Sequence, residues 1–176
     1  MMLVGQAPGK VEVDVRRPFA GRAGRTLFRW LERAGLDEPT ARRSIYISAI
    51  TRCYPGPSPS GRGDRVPSLH ERLQCGSWLD DELRLIQPQL IIPVGKLAID
   101  RFLGGVPLEK VVGRIHEQLM GDSMTRVVPL PHPSGASSWP NVPANRVLLD
   151  AAIDLLRAEF LRLGAGKPTT KTRRTA

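Results

Sequence analysis

The chain has 176 residues, 41% of them hydrophobic, which is enough for one domain with a packed core and short for two. Its formal net charge of +9 points to a polyanionic partner, although residues 164–176 carry four of the cations and no acid, leaving +5 on the rest. Nothing in it reads as a signal peptide or approaches the length of a membrane span, so a cytoplasmic protein without a membrane partner is expected.

Residues 2–4 read as a buried strand, and residues 5–24 as a long Gly/Pro/Arg-rich connection whose length suggests function. An amphipathic helix is predicted over 25–34, with Leu27, Trp30, Leu31 and Ala34 on one face and Gly35 as its stop. A second strand covers 45–50, and the Pro/Gly/Ser run over 55–63 cannot form a regular element. Ser68 and Glu71 make a capping box, which opens a helix that ends before Pro88. Residues 90–94 form a third strand, followed by Gly95-Lys96 and a helix to 103. The segment 109–119 is looser, with some β character. A fourth strand over 125–130 precedes a closing helix over 145–163, and the basic tail 164–176 is expected to be disordered. Strands alternating with helices predict one α/β domain over 1–163: a three-layer α/β/α sandwich around a mostly parallel four-stranded sheet.

Parallel strands bring the turns at their carboxyl ends to one rim, where open α/β sheets bind ligands. The turns predicted there carry Gln6, Arg52, Lys96, His132 and Ser134. The set suits a polar planar ligand next to a phosphate backbone. Gly5 to Lys10 fails as a phosphate loop: it is one residue short of the Walker spacing, and Val11 stands where Ser or Thr is needed. His132, held between two prolines, is on a rigid turn rather than an apolar helix face, which favours function over core packing. Phe19 either plugs its polar loop onto the core or stacks on a planar ligand. Cys53 and Cys75, two cysteines without a secretory signal, read as reduced thiols or metal ligands, and alone they define no metal site.

Taken in order, Val4-Gly5-Gln6-Ala7-Pro8-Gly9, Arg17-Pro18-Phe19-Ala20-Gly21-Arg22-Ala23-Gly24, residues 45–53, Cys75 with Glu82 to Pro88, Ile91-Ile92-Pro93-Val94-Gly95 and His132-Pro133-Ser134-Gly135 resemble the uracil-DNA glycosylase superfamily. The likeness covers nearly all of residues 3–160 and is strongest to the iron–sulfur bacterial and archaeal branches. It implies a monomeric hydrolase that flips uracil, or a related deaminated base, out of DNA and cuts its glycosidic bond. On that resemblance His132 donates to the uracil O2, Gln6 orients the water, and Gly5, Ala7, Phe19, Ala49 and Ser134 bound the base. Arg52, Lys96, Ser134 and Ser137 would hold phosphates, with Trp139 as a wedge and Arg114, Arg126 and Arg146 widening the basic face.

The sequence departs from the family pattern at three places. Gln6-Ala7 stand where an acid is common, so Glu12 or Asp14 would supply the carboxylate, or a dissociative reaction would need only a placed water. Ala49 stands where many relatives carry a base-reading asparagine, which implies relaxed selectivity toward hypoxanthine, xanthine or ethenocytosine. Cys53 and Cys75 match half of a 4Fe–4S ligand set, the upstream Cys-x-x-Cys being absent from this sequence, so either a longer form of the chain carries the cluster or this lineage has lost it. A non-catalytic module that binds damaged bases on the same fold is the alternative reading, and an iron–sulfur redox or structural protein on this scaffold is a second rival.

Overall fold

The computed structural model describes residues 1–59, 61, 63–135 and 137–166. Its strands are β1 (Met2–Gly5), β2 (Tyr46–Ala49), β3 (Leu90–Pro93), β4 (His116–Met120) and β5 (Ser123–Val127). The helices are α1 (Lys10–Val15), α2 (Arg22–Arg33), α3 (Glu38–Ser44), α4 (Leu69–Ile86), α5 (Lys96–Leu103), α6 (Leu108–Val111) and α7 (Pro143–Arg162), with a 3-10 turn at Trp139–Asn141.

The sheet has five strands in the order β2-β1-β3-β5-β4, all parallel except β4, which runs antiparallel to β5. The expected four-stranded sheet is corrected by this hairpin. His116-Glu117-Gln118-Leu119-Met120 hides its strand character behind polar residues because one edge faces solvent, and only the pairing Glu117↔Arg126 to Met120↔Ser123 reveals it. Pairing beyond β5 continues to the bridge between Val94 and Leu130, so the expected strand 125–130 is extended along its whole length.

Central strands β1 and β3 are buried on both faces, as unbroken apolar runs in a parallel sheet must be. Alternation sends Leu3, Leu90 and Ile92 toward α2, α3 and α7, where they meet Leu27, Leu31, Ala41, Leu156 and Phe160. Met2, Val4 and Ile91 point the other way, against Leu79 and Leu83 of α4 and Ala98 and Phe102 of α5. These two apolar layers make the three-layer sandwich.

The long connection after β1 is not irregular throughout. It contains α1, and α2 begins three residues before the expected start. Helix α1 buries no residue and exposes Val11, Val13 and Val15, so it has neither an apolar stripe nor favourable propensity to announce it. At the far end, Ala165 and Gly166 bond back to the Phe160 carbonyl; residues 167–176 of the expected tail lie outside the described residues.

With this strand order the chain leaves β1 toward one edge and β3 toward the other. The crevice outside their carboxyl ends is therefore the topological switch point.

Candidate active site

The turn after β1 is pinned to the end of β2, since Ile50 N–H donates to the Gly5 carbonyl at 3.0 Å and Thr51 N–H to the Gln6 carbonyl at 3.2 Å. The turn after β3 passes Gly95, whose φ of +85° only glycine adopts comfortably. A Cβ there would stand 2.8 Å from His132 Cδ2, so the bare backbone of Gly95 is the floor on which the imidazole lies. Gln6 and His132, 126 positions apart in the sequence, line one cavity of about 220 Å³ with Glu12, Phe19, Asp64 and Ser134. A second cavity of about 280 Å³ shares Gly5, Ala7, Pro8, Glu12 and Phe19 with it and continues to Ala49, Thr51 and Arg52.

His132 has a defined protonation state. Ser134 N–H donates to its Nδ1 at 3.3 Å, and Ser134 Oγ lies 2.8 Å from the same atom. A backbone amide can only donate, so Nδ1 is the acceptor and the proton sits on Nε2. Burial pushes the imidazole below its ordinary value, which keeps it neutral near pH 7. Among the described residues Nε2 has no hydrogen-bond partner, leaving one N–H donor for a ligand.

Phe19 is half-buried, packs against the core and lines both cavities, so the plug and the stacking surface are the same ring. Its backbone sits in the left-handed region at φ 51°. Two features hold it there. Arg42 of α3 donates to the Pro18 and Phe19 carbonyls at 2.9 and 3.3 Å, and Gly24 leaves room where a Cβ would fall 1.8 Å from the Phe19 oxygen. Gly24 closes the same motif as Phe19, whereas Arg42 has no local signal because its bonds reach back more than twenty residues.

Glu12 ties the loop together. Its Oε1 accepts from Gly21 N–H at 2.8 Å and its Oε2 from Gly9 N–H at 3.1 Å, one amide at the start of α2 and the other at the start of α1. Asp14, the other acid considered, does not line either cavity.

The cations are committed within the protein. Arg52 Nη2 lies 2.6 Å from Glu82 Oε2, and Arg52 Nη1 donates to Ser48 Oγ at 2.9 Å. Ser48 and Tyr46 also donate to Glu82, at 2.6 and 2.7 Å. Burial raises the Glu82 pKa, but the hydrogen bonds from Arg52, Ser48 and Tyr46 outweigh it, and the carboxyl is held below its usual range. Lys96, the first residue of α5, pairs with Asp100 one turn on. Ser137 N–H closes a tight turn onto the Ser134 carbonyl at 3.0 Å.

Two expected DNA contacts are corrected. Trp139 packs against the core and its Nε1 donates to Glu109, so it is anchored rather than poised as a wedge. Arg126 opens the parallel pairing of β5 opposite Leu90, at the amino ends of the strands, and its guanidinium pairs with buried Glu159. That is the rim away from the cavities.

A family model described as the uracil DNA glycosylase superfamily matches residues 1–157. The chain belongs to the uracil-DNA glycosylase superfamily. It is 32% identical over 136 residues to a type-4 uracil-DNA glycosylase of Thermotoga maritima, a match covering 76% of this chain and 64% of that protein. A type-4 uracil-DNA glycosylase of Archaeoglobus fulgidus is 29% identical, with 81% of this chain and 69% of that protein covered. A type-5 uracil-DNA glycosylase of Pyrobaculum aerophilum is 28% identical, with 89% and 69% covered. This superfamily member thus spans about two thirds of the length of these relatives. No helix among its described residues is long and apolar enough to cross a membrane.

The iron–sulfur cluster implied by the type-4 likeness takes four ligands as a rule. Cys53 is exposed and Cys75 half-buried, and they are the chain's two cysteines. Among the described residues no three His, Cys, Asp or Glu side chains are grouped to hold a metal. These residues do not by themselves fit a cluster, and no step below runs through one.

Proposed function

We propose that this protein hydrolyses the N-glycosidic bond between deoxyribose and uracil, or a related deaminated base, in DNA. The observation that carries the reading is the meeting of Gln6, Phe19 and a neutral His132 around one cavity at the switch point of the sheet.

A base within a duplex is out of reach of such a cavity, so the nucleotide is flipped, and weakly paired deaminated bases are the cheapest to extract. Phe19 offers a face for the base, and Gly5 and Ala7 keep the turn low enough to admit it. Bond cleavage leaves positive charge on the sugar and negative charge on the base oxygen. The His132 Nε2–H, oriented in advance by Ser134, meets that developing charge; a neutral donor suits this because its strength rises only as the oxygen becomes anionic. Gln6 holds the water by hydrogen bonds, and an amide cannot take its proton. Glu12 supports the turn through its two amide bonds. Lys96, Ser134, Ser137 and Arg52 are assigned to backbone phosphates, with Lys96 and Arg52 exchanging Asp100 and Glu82 for the DNA. The missing side-chain amide at Ala49 widens the accepted bases toward hypoxanthine and xanthine.

The test is incubation with uracil-containing oligonucleotides, single- and double-stranded, followed by alkali. Strand breaks at the uracil support the glycosylase. A gel shift that never yields breaks supports a module that binds damaged bases without cutting them.

A further inference from the structure

We propose that Asp64 is the carboxylate that activates the hydrolytic water, an assignment that rests on the glycosylase reading above. The other groups around the cavity are already committed. Gln6 cannot accept a proton, both Glu12 oxygens hold backbone amides, and His132 presents a donor to the base. Asp64 lines the same cavity, and no backbone amide binds its carboxylate among the described residues.

Its position is built rather than incidental. In the connection between β2 and α4, Asp64 bridges antiparallel to Pro57. Arg65 N–H donates to the Gly56 carbonyl at 3.0 Å and Ser58 N–H to the Gly63 carbonyl at 2.9 Å, which closes a hairpin that returns over the β1 turn. Asp64 Oδ2 comes within 2.9 Å of the place a Cβ on Gly9 would occupy, and Glu12 Oε2 within 2.6 Å of that same point. The carboxylate therefore rests on bare backbone of the Gln6 turn, in space that a side chain at position 9 would fill. Tyr54, which does not line the cavity, lies beside Asp64, and burial, then the neighbouring carboxylate, raises its phenol above the ordinary value.

In the step assigned to it, the water oxygen bonds to the sugar C1′ as the C1′–N1 bond breaks. The bonding pair leaves with the base, whose O2 charge is met by the His132 Nε2–H. The proton lost by the water passes to Asp64, which returns it to solvent, and the released base anion takes a proton from solvent. Water and nucleoside thus give an abasic sugar and a neutral base.

Asp64→Asn keeps size and hydrogen bonding but removes the proton acceptor, and general-base losses run to about 100-fold or more. Single-turnover release of uracil should fall by that factor, while KM and the affinity for free uracil stay within about twofold. Added formate should restore part of the rate to Asp64→Ala. Release by Asp64→Asn at the wild-type rate overturns the assignment and leaves the glycosylase standing. A slower variant that also loses free-uracil binding overturns it as well, since Asp64 would then shape the pocket. A wild-type protein that releases no base removes the glycosylase reading, and this assignment with it.

Discussion

At Gly95 an added methyl would meet His132 Cδ2 at 2.8 Å on a backbone already at φ +85°, so Gly95→Ala displaces the imidazole that the turn after β5 delivers. A fold retained by circular dichroism with at least about a tenfold loss of base release is expected, because small misplacements of a catalytic group are expensive. His132→Ala removes the donor itself. Single-turnover release should fall about 100- to 1000-fold, the usual loss on deleting one preorganised donor, with oligonucleotide affinity nearly unchanged because phosphate contacts dominate it. Unchanged turnover would show that another group meets the base oxygen. The same histidine links stability to pH. Its native pKa is lowered by burial, so the unfolded chain binds the proton first as pH falls below the ordinary value of 6.5. Thermal stability should therefore be flat above that pH and decline below it, and His132→Gln should flatten the decline; an equally steep decline in the variant would refute the linkage. At this scale the sequence was half legible. His132, Gln6 and Phe19 stand in Pro/Gly settings that mark them as turn residues, whereas Arg42 and Asp64 act through partners distant along the chain.

Helix α4 shows an element whose boundaries are local chemistry. Ser68 Oγ accepts from Glu71 N–H at 3.3 Å, and Glu71 returns to Ser68 N–H at 2.7 Å, as the capping box predicts. Arg65 then grips Glu71 with two bonds, at 2.6 and 2.8 Å. The Arg65 guanidinium, followed by the Ser68 amide and hydroxyl, holds the Glu71 carboxyl down to about 2. A lowered carboxylate pKa stabilises the native state fully above the ordinary 4.5 and fades as pH falls toward 2, so the start of α4 loses this clamp only in strong acid. Helix α1 is the opposite case. With three exposed valines and no buried face, it exists because Glu12 caps it and staples it to α2. Glu12→Ala frees two loop amides, and losing such bonds is worth about 1–3 kcal/mol. A lower melting temperature with faster amide exchange confined to residues 9–21 is the expected result; unaltered exchange there would mean the staple is not what orders the loop. Strand β4 shows only as weak β character within 109–119 for a related reason: an edge strand with one wet face needs no apolar pattern, and its partner β5 supplies the order.

For the whole molecule, the +9 charge is less available to DNA than it looks. Arg52, Lys96 and Arg126 are each paired with an acid, and Arg126 lies on the wrong rim. If Lys96 trades Asp100 for a phosphate, Lys96→Ala should weaken binding to any sequence alike and lower the slope of log affinity against log salt by about 1. An unchanged slope would keep Lys96 out of the interface. The amino-acid sequence by itself determined the alternation of β and α, the buried strands β1 and β3, the capped start of α4 and the turns bearing Gln6 and His132, because continuous apolar runs, capping residues and Pro/Gly punctuation are read over a few neighbouring positions. Only the tertiary structure decided that the sheet has a fifth, antiparallel strand, that Glu12 is a staple, that Arg52 is held by Glu82, and that Asp64 comes to rest on Gly9. Those outcomes rest on particular side-chain bonds and close approaches that the folded chain makes, such as Arg52 to Glu82 across 30 positions, and no run of neighbouring residues announces them.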